Sequence, residues 1–155
     1  MAISKDTILG DPPVAKARWA LDKLLKGAGA GAAITLYGIL VGSGTSAESF
    51  EDYVLQTLIA EGTGAGQLNY VATDVPTKSY VAGTKTWTIT WIRYMNNNSG
   101  GDVSVNEVAL VTRGEIAGLS NVRWAMSRDK LGATVTIPNT GQLKVTYSLS
   151  LTFPS

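Results

Sequence analysis

From residue 143 to residue 153, apolar and polar side chains alternate without a break. Leu143, Val145, Tyr147, Leu149, Leu151 and Phe153 take one parity; Lys144, Thr146, Ser148, Ser150 and Thr152 take the other. Successive side chains of a β-strand point to opposite faces, so the run predicts a strand with one face on a core and one face wet or weakly covered. Any fold for this chain must supply a sheet here and an apolar layer beneath it.

Other stretches carry the same signature. Residues 33–41, AITLYGILV, form a near-continuous apolar run and predict a strand buried on both faces. Leu68, Tyr70 and Ala72 alternate within 67–72. Val122, Trp124 and Met126 alternate within 121–127 and are expected to point inward, and Ala133, Val135 and Ile137 make a further short strand. In residues 84–112 two runs rich in Thr, Val, Ile, Trp and Tyr flank Asn96-Asn97-Asn98-Ser99-Gly100-Gly101-Asp102. That middle is turn chemistry, so the stretch predicts an antiparallel hairpin with a polar tip, pairing Trp87 with Leu110, Ile89 with Val108, Ile92 with Val105 and Tyr94 with Val103. Its apolar face changes between Trp91 and Ile92 and again between Val105 and Val108. The hairpin is therefore expected to be covered on both sides, by its own domain or by another copy of the chain. Residues 74–83, which contain Pro76, read as a loop, and Arg113-Gly114-Glu115 as a turn.

Two helices are expected before the sheets fill in. Asp11 caps a start at Pro12-Pro13, and Val14, Ala17, Trp19, Leu21, Leu24 and Leu25 recur at roughly helical spacing up to Gly27. This amphipathic segment packs on its own domain or docks as an arm on a neighbouring subunit. Residues 27–31, Gly-Ala-Gly-Ala-Gly, read as a flexible joint dividing an arm (1–31) from the main domain (32–155). A short helix is expected over 50–59, capped by Ser46 or Ser49, with Glu51 and Asp52 in its first turn and Tyr53, Leu55, Leu58 and Ile59 as its apolar stripe. About seven strands with two early helices suit a mainly β fold, an antiparallel β-sandwich of jelly-roll or Ig-like type.

Composition narrows the chemistry. The chain has no cysteine and no histidine, which removes disulfides, thiolate ligands, the commonest general base and the commonest metal ligand. A net charge of +1 gives no field favouring nucleic acid or an anionic membrane, and the basic residues are not clustered with aromatics. The longest uncharged stretch, 27–47, is interrupted by glycine, and its apolar part falls short of the ~20 residues of a membrane helix. Lys5 and Asp6 are followed by no apolar segment, so no signal peptide is expected and the protein reads as soluble and made in a cytoplasm. The glycines of 27–31 follow a helix instead of a strand, and Gly42-Ser43-Gly44-Thr45-Ser46 lacks the Gly-Lys-Ser/Thr ending of a phosphate loop. Ser127-Arg128-Asp129-Lys130 has Ser-x-x-Lys spacing but none of the companion motifs of β-lactamase-type enzymes, and reads as a charged turn. The acids are scattered; Glu107, inside an apolar strand, is expected to pair with Arg93, Arg123 or Arg128 or to meet backbone donors. Asn96 to Asp102 has oxygen ligands but too few acids for calcium, and Asn97-Asn98-Ser99 matches the weak N-glycosylation pattern.

One resemblance runs through the order of the blocks. Val41-Gly42-Ser43-Gly44-Thr45 is followed by Trp87-Thr88-Ile89-Thr90, Asn97-Asn98-Ser99-Gly100, Val105-Asn106-Glu107-Val108-Ala109-Leu110, Ser127-Arg128-Asp129 and Val145-Thr146-Tyr147-Ser148-Leu149. This sequence resembles small virion structural proteins of tailed bacteriophages over residues 34–153. The resemblance implies a non-enzymatic, multi-copy part of the particle without cofactors: head decoration or cement, a head fibre, or a tail or neck component. Its partners would be copies of itself and other virion proteins, major capsid or tail proteins, with assembly in the bacterial host cytoplasm. Expected contact residues are Trp19, Leu24 and Leu25 on the arm and Tyr94, Asn96, Asn97, Asn98 and Asp102 at the hairpin tip, with the 62–66 loop beside them. The alternative is a module on a phage fibre that binds a host-surface glycan or receptor, which requires exposed, roughly coplanar aromatics at the tip or around Tyr70 and Tyr80.

Overall fold

A computed structural model of the chain describes residues 27–49, 51–116 and 119–152, with backbone alone for 115, 116 and 119–121. Seven strands form among these residues: β1 (Gly38–Gly42), β2 (Asn69–Tyr70), β3 (Thr77–Val81), β4 (Thr86–Asn96), β5 (Val103–Ile116), β6 (Leu119–Ile137) and β7 (Gln142–Thr152). They make two antiparallel sheets. One has the order β1-β5-β6; the other is built on β4, which pairs with β2, β3 and β7. β7 runs along β4 for eleven unbroken pairs, from Thr86↔Thr152 to Asn96↔Gln142, so β2 and β3 share its other edge.

Both sheets feed one core. Ile39 and Val41 of β1, Val105 and Leu110 of β5, Ile137 of β6, and Ile89, Trp91 and Met95 of β4 are buried together with Leu55, Ile59, Leu68 and Tyr70. Each such aliphatic side chain is stabilised by roughly 1.5–3 kcal/mol relative to exposure. The alternating stretch is β7, as its pattern predicts. Leu143, Val145, Tyr147 and Leu149 pack half-buried against the core. Its polar parity bonds across to β4 on the wet face: Thr86–Thr152 at 2.9 Å, Thr88–Ser150 at 2.8 Å and Thr90–Ser148 at 2.8 Å.

The expected 84–112 hairpin does not form. β4 and β5 lie in different sheets, so Trp87 pairs with Leu151 and Tyr80, and Leu110 with Ile39 and Ser127. Residues 97–102 carry the chain from one sheet to the other, and Asn97 explains why. It is fully buried. Its Nδ2 donates to Gly101 O and Ile137 O, both at 2.8 Å, and its Oδ1 accepts from Ser99 N and Oγ. Its backbone pairs with Gly141 O and Thr140 N of the β6–β7 connection. One amide therefore joins both crossings. The face change within β5 is genuine and comes from a register shift between Val105 and Glu107. The change in β4 is not: Ile89, Trp91, Arg93 and Met95 form a single buried parity, with Arg93 as the polar member that disguised it.

Arg93 is satisfied without a carboxylate contact. Its guanidinium donates to Val71 O at 2.9 Å, Ile39 O at 2.9 Å, Gly31 O at 3.1 Å and Ile34 O at 2.8 Å, and it lies 4.9 Å from the Tyr70 ring. Burial lowers its pKa, and burial raises that of the Tyr70 phenol to about 12. Tyr70 in turn donates to Ile59 O at 2.8 Å.

Several expected boundaries shift. Residues 50–59 are not helical in their described part. The local cap forms, with Ser49 N donating to Asp52 Oδ2 at 2.8 Å, but the peptide groups that follow turn to Glu107 instead of to one another. The 77–81 stretch is strand, because the edge of β4 offers it a ladder and Pro76 sits just ahead of it. Residues 113–115 lie inside β5, and Ser127 to Lys130 inside β6, which is one strand with an irregularity opposite Asn106 where two strands are expected. Trp124 and Met126 point outward enough to be 37% and 39% exposed. The 27–31 segment is not a loose joint: Ala28 and Ala30 are buried, and Ala30 exchanges hydrogen bonds with Thr73. The expected N-terminal helix lies outside the described residues.

Candidate functional site

The outer side of the β1-β5-β6 sheet is overlaid by residues 43–49 and 51–58, and a buried ion pair holds them there. Glu107 of β5 is 0% exposed. Its Oε1 accepts from Gly44 N at 3.1 Å and Thr57 N at 2.8 Å; its Oε2 accepts from Gln56 N at 3.0 Å and Arg128 Nε at 2.7 Å. Arg128 continues outward to Asp52 Oδ2 at 2.7 Å, Ser46 O at 3.2 Å and Ala47 O at 3.3 Å. Asn106 Nδ2 to Ser43 O and Lys130 N to Glu48 Oε1 add two more ties. Burial pushes the Glu107 carboxyl up, but the Thr57 N–H, the Arg128 guanidinium and the Gln56 and Gly44 N–H groups outweigh it and hold its pKa below the usual range. The Ser49 N–H and Arg128 lower Asp52 in the same way. The expectation that Glu107 meets an arginine or backbone donors holds on both counts.

This overlay covers the sheet incompletely. It leaves a cleft of about 300 Å³ floored by Leu40, Leu55, Val111 and Ala125 and rimmed by Leu36, Tyr53, Val54, Leu58 and Arg123. The rim is open: Tyr53 is 83% exposed, Val54 55%, Leu36 54% and Leu58 40%. A second cleft of about 320 Å³ adjoins it through Leu36 and Arg123 and adds Ile34, Tyr37 and Arg113. The Arg113 guanidinium stacks 4.3 Å from the Tyr37 ring centre.

No family model matches the chain, and no curated protein or solved structure matches it significantly. The site therefore rests on geometry alone. Among the described residues no three His, Cys, Asp or Glu side chains are placed to hold a metal ion, and no helix is long and apolar enough to cross a membrane. The Ser-x-x-Lys match falls within a continuous stretch of β6, where an offset of three puts Ser127 and Lys130 on opposite faces. Ser127 Oγ donates instead to Asp129, which also accepts from Tyr147.

The expected contact residues separate. Asn97 is interior and builds the crossing. Tyr94 and Asn96 lie half-buried on the outward parity of β4, with Lys144 Nζ 5.9 Å from the Tyr94 ring and Asn96 Oδ1 accepting from Gln142 at 2.7 Å. Asn98 donates to Asn69 at 2.8 Å, and Asp102 is exposed. Trp19, Leu24 and Leu25 lie outside the described residues. The cleft residues were hidden by the helix expected over 50–59, which would have turned Tyr53, Leu55, Leu58 and Ile59 inward as one stripe. Leu55 and Ile59 are buried; Tyr53 and Leu58 are not.

Proposed function

We propose that the protein is a non-enzymatic, multi-copy structural subunit of a tailed-phage virion, working through protein–protein contact on the capsid or tail. In this reading the two sheets form a sandwich of jelly-roll or Ig-like type that serves as a rigid support. The observation that carries it is the uncovered apolar rim of Leu36, Tyr53, Val54 and Leu58 on a framework whose two sheets share one buried core. Grouped exposed apolar side chains on a β framework suit a contact surface. The order of sequence blocks supports the same reading. A modest contact repeated by symmetry becomes strong through multivalency. Native mass spectrometry and incorporation into particles test it. The wild-type chain assembles with itself or with capsid or tail protein, and a Tyr53→Ser/Val54→Ser variant assembles measurably less. A chain that stays alone with every virion protein offered ends the reading.

The glycan-binding alternative has one observation in its favour. Tyr80 and Trp87 stand 5.5 Å apart with their rings 33° from parallel, and Tyr80 is 41% exposed. Tyr70, the other aromatic it would use, is buried. Tryptophan quenching by a panel of sugars separates this reading from the first.

A further inference from the structure

The geometry points to the partner's chemistry at the cleft: a protein segment that presents an apolar side chain with a carboxylate beside it. This inference rests on the contact reading just given. Arg113 and Arg123 are directly opposite each other on the β5–β6 ladder. Like charges so placed repel, which destabilises the pair unless an anion lies between them. Arg128 holds two ion pairs, whereas among the described residues neither Arg113 nor Arg123 has a carboxylate within ion-pair distance. Contrast Arg128, five residues along β6 from Arg123, which meets two acids. Arg113 is also steadied by its stack on Tyr37, which fixes a guanidinium without using its N–H donors. Two exposed guanidinium groups on one ladder rung match a carboxylate, which accepts such donors bidentately.

The apolar half of the complement comes from the adjoining space. Arg123 lines both clefts, so the charge sits where the apolar cleft of Tyr53, Val54 and Leu58 meets the cationic one. About 300 Å³ accommodates one large aliphatic or aromatic side chain. The same charges exclude one occupant: a second copy docking through this same face would set arginines against arginines. The occupant is therefore a different surface, acidic and apolar together.

Fluorescence anisotropy with two labelled peptides of equal length tests this, one alternating Leu and Glu and the other alternating Leu and Lys. The Leu-Glu peptide binds and the Leu-Lys peptide does not. An Arg113→Gln/Arg123→Gln variant with an unchanged melting curve loses about tenfold or more in affinity for the acidic peptide, as expected for removed charge-assisted bonds. An Arg113→Glu/Arg123→Glu variant reverses the preference, and Leu58→Ser weakens binding of the acidic peptide alone. Equal binding of both peptides, or no binding of the acidic one, overturns the inference. If the acidic peptide fails while the chain still assembles, only the assignment of partner chemistry falls. If it binds while the chain never assembles, the contact reading falls and the acidic-apolar site stands.

Discussion

Arg128 reaches Glu107 diagonally across the β5–β6 ladder. Its own partner in register is Ala109, and the residue opposite Glu107 is Lys130, yet Arg128 Nε and Glu107 Oε2 are 2.7 Å apart. The nearer cation is left for the surface, and the guanidinium spans the sheet to the overlay above it. Glu107 is thus the anchor of residues 43–49 and 51–58, and Arg128 is one of its four donors.

That ordering predicts unequal losses. Glu107→Leu leaves Arg128 Nε and three peptide N–H groups without their acceptor and strips the buried guanidinium of one of its two acids, and should cost about 3–5 kcal/mol of unfolding free energy, as breaking a buried pair does. Arg128→Met leaves the carboxylate with three backbone donors and should cost less, on the order of 2 kcal/mol. Urea denaturation of both variants measures the difference. A larger loss for Arg128→Met would show that the guanidinium, not the carboxylate, holds the overlay.

Acid should loosen the same region. An unfolded glutamate titrates near ~4.3, and Glu107 in the folded chain titrates lower. The folded state therefore binds fewer protons, so its extra stability is complete above the unfolded value and is lost as the pH falls through the folded one. Asp52 has the same sign. Melting temperature should fall as the pH is lowered through this acid range, and the fall should be shallower in Glu107→Leu. Identical slopes in the two proteins would remove Glu107 from the account.

Asn97 should resist replacement although it sits in a connection. Asn97→Ala takes the side-chain donor from the buried Ile137 carbonyl, at about 1–3 kcal/mol, and one of two donors from Gly101 O, which keeps Ser99 Oγ. Asn97→Asp should be at least as damaging, because it sets a carboxylate against those two oxygens. Thermal melts rank the variants. Hydrogen exchange should speed at the amides of Asn97 and Thr140, which are bonded across the two crossings.

Two glycines should respond oppositely. A Cβ at Gly42 would meet the Glu107 carboxylate and, at 2.6 Å, Thr57 O, whereas one at Gly101 meets nothing within 4 Å. Gly42→Ala should cost about 1–3 kcal/mol by overpacking, and Gly101→Ala should change stability by no more than about 0.5 kcal/mol. Equal melting temperatures for the two variants would contradict the close approach at Gly42.

The sheets were legible in the sequence where a strand keeps one apolar parity. β7 was read along its length, and β1 as a strand buried on both faces, although the strand expected over 33–41 spans only Gly38–Gly42 and Leu36 ahead of it is 54% exposed. What misled was polar residues buried for a reason. Arg93 inside β4 looked like the outer parity, so the strand seemed to switch faces. Asn97, typical of an exposed turn, is the interior bond between two crossings, and a turn composition cannot distinguish a hairpin from a passage between sheets. Residues 50–59 carried a helix cap and apolar spacing, and lost the helix because Glu107, 50 residues away in sequence, takes the amide of Thr57. Long-range acceptors of this kind leave no local trace. The cleft was missed for the same reason, since its rim exists only once the overlay is pinned down.

The crossing at Asn97 also sets an order of events. Because consecutive strands β4 and β5 part to different sheets, β4 finds its long neighbour only in β7, 46 residues on at one end and 66 at the other. During synthesis β4 leaves the ribosome with an eleven-residue edge bare and an apolar face open until β7 follows. For that interval a bare edge and an open apolar face are the features by which one unfinished chain would join another of the same kind.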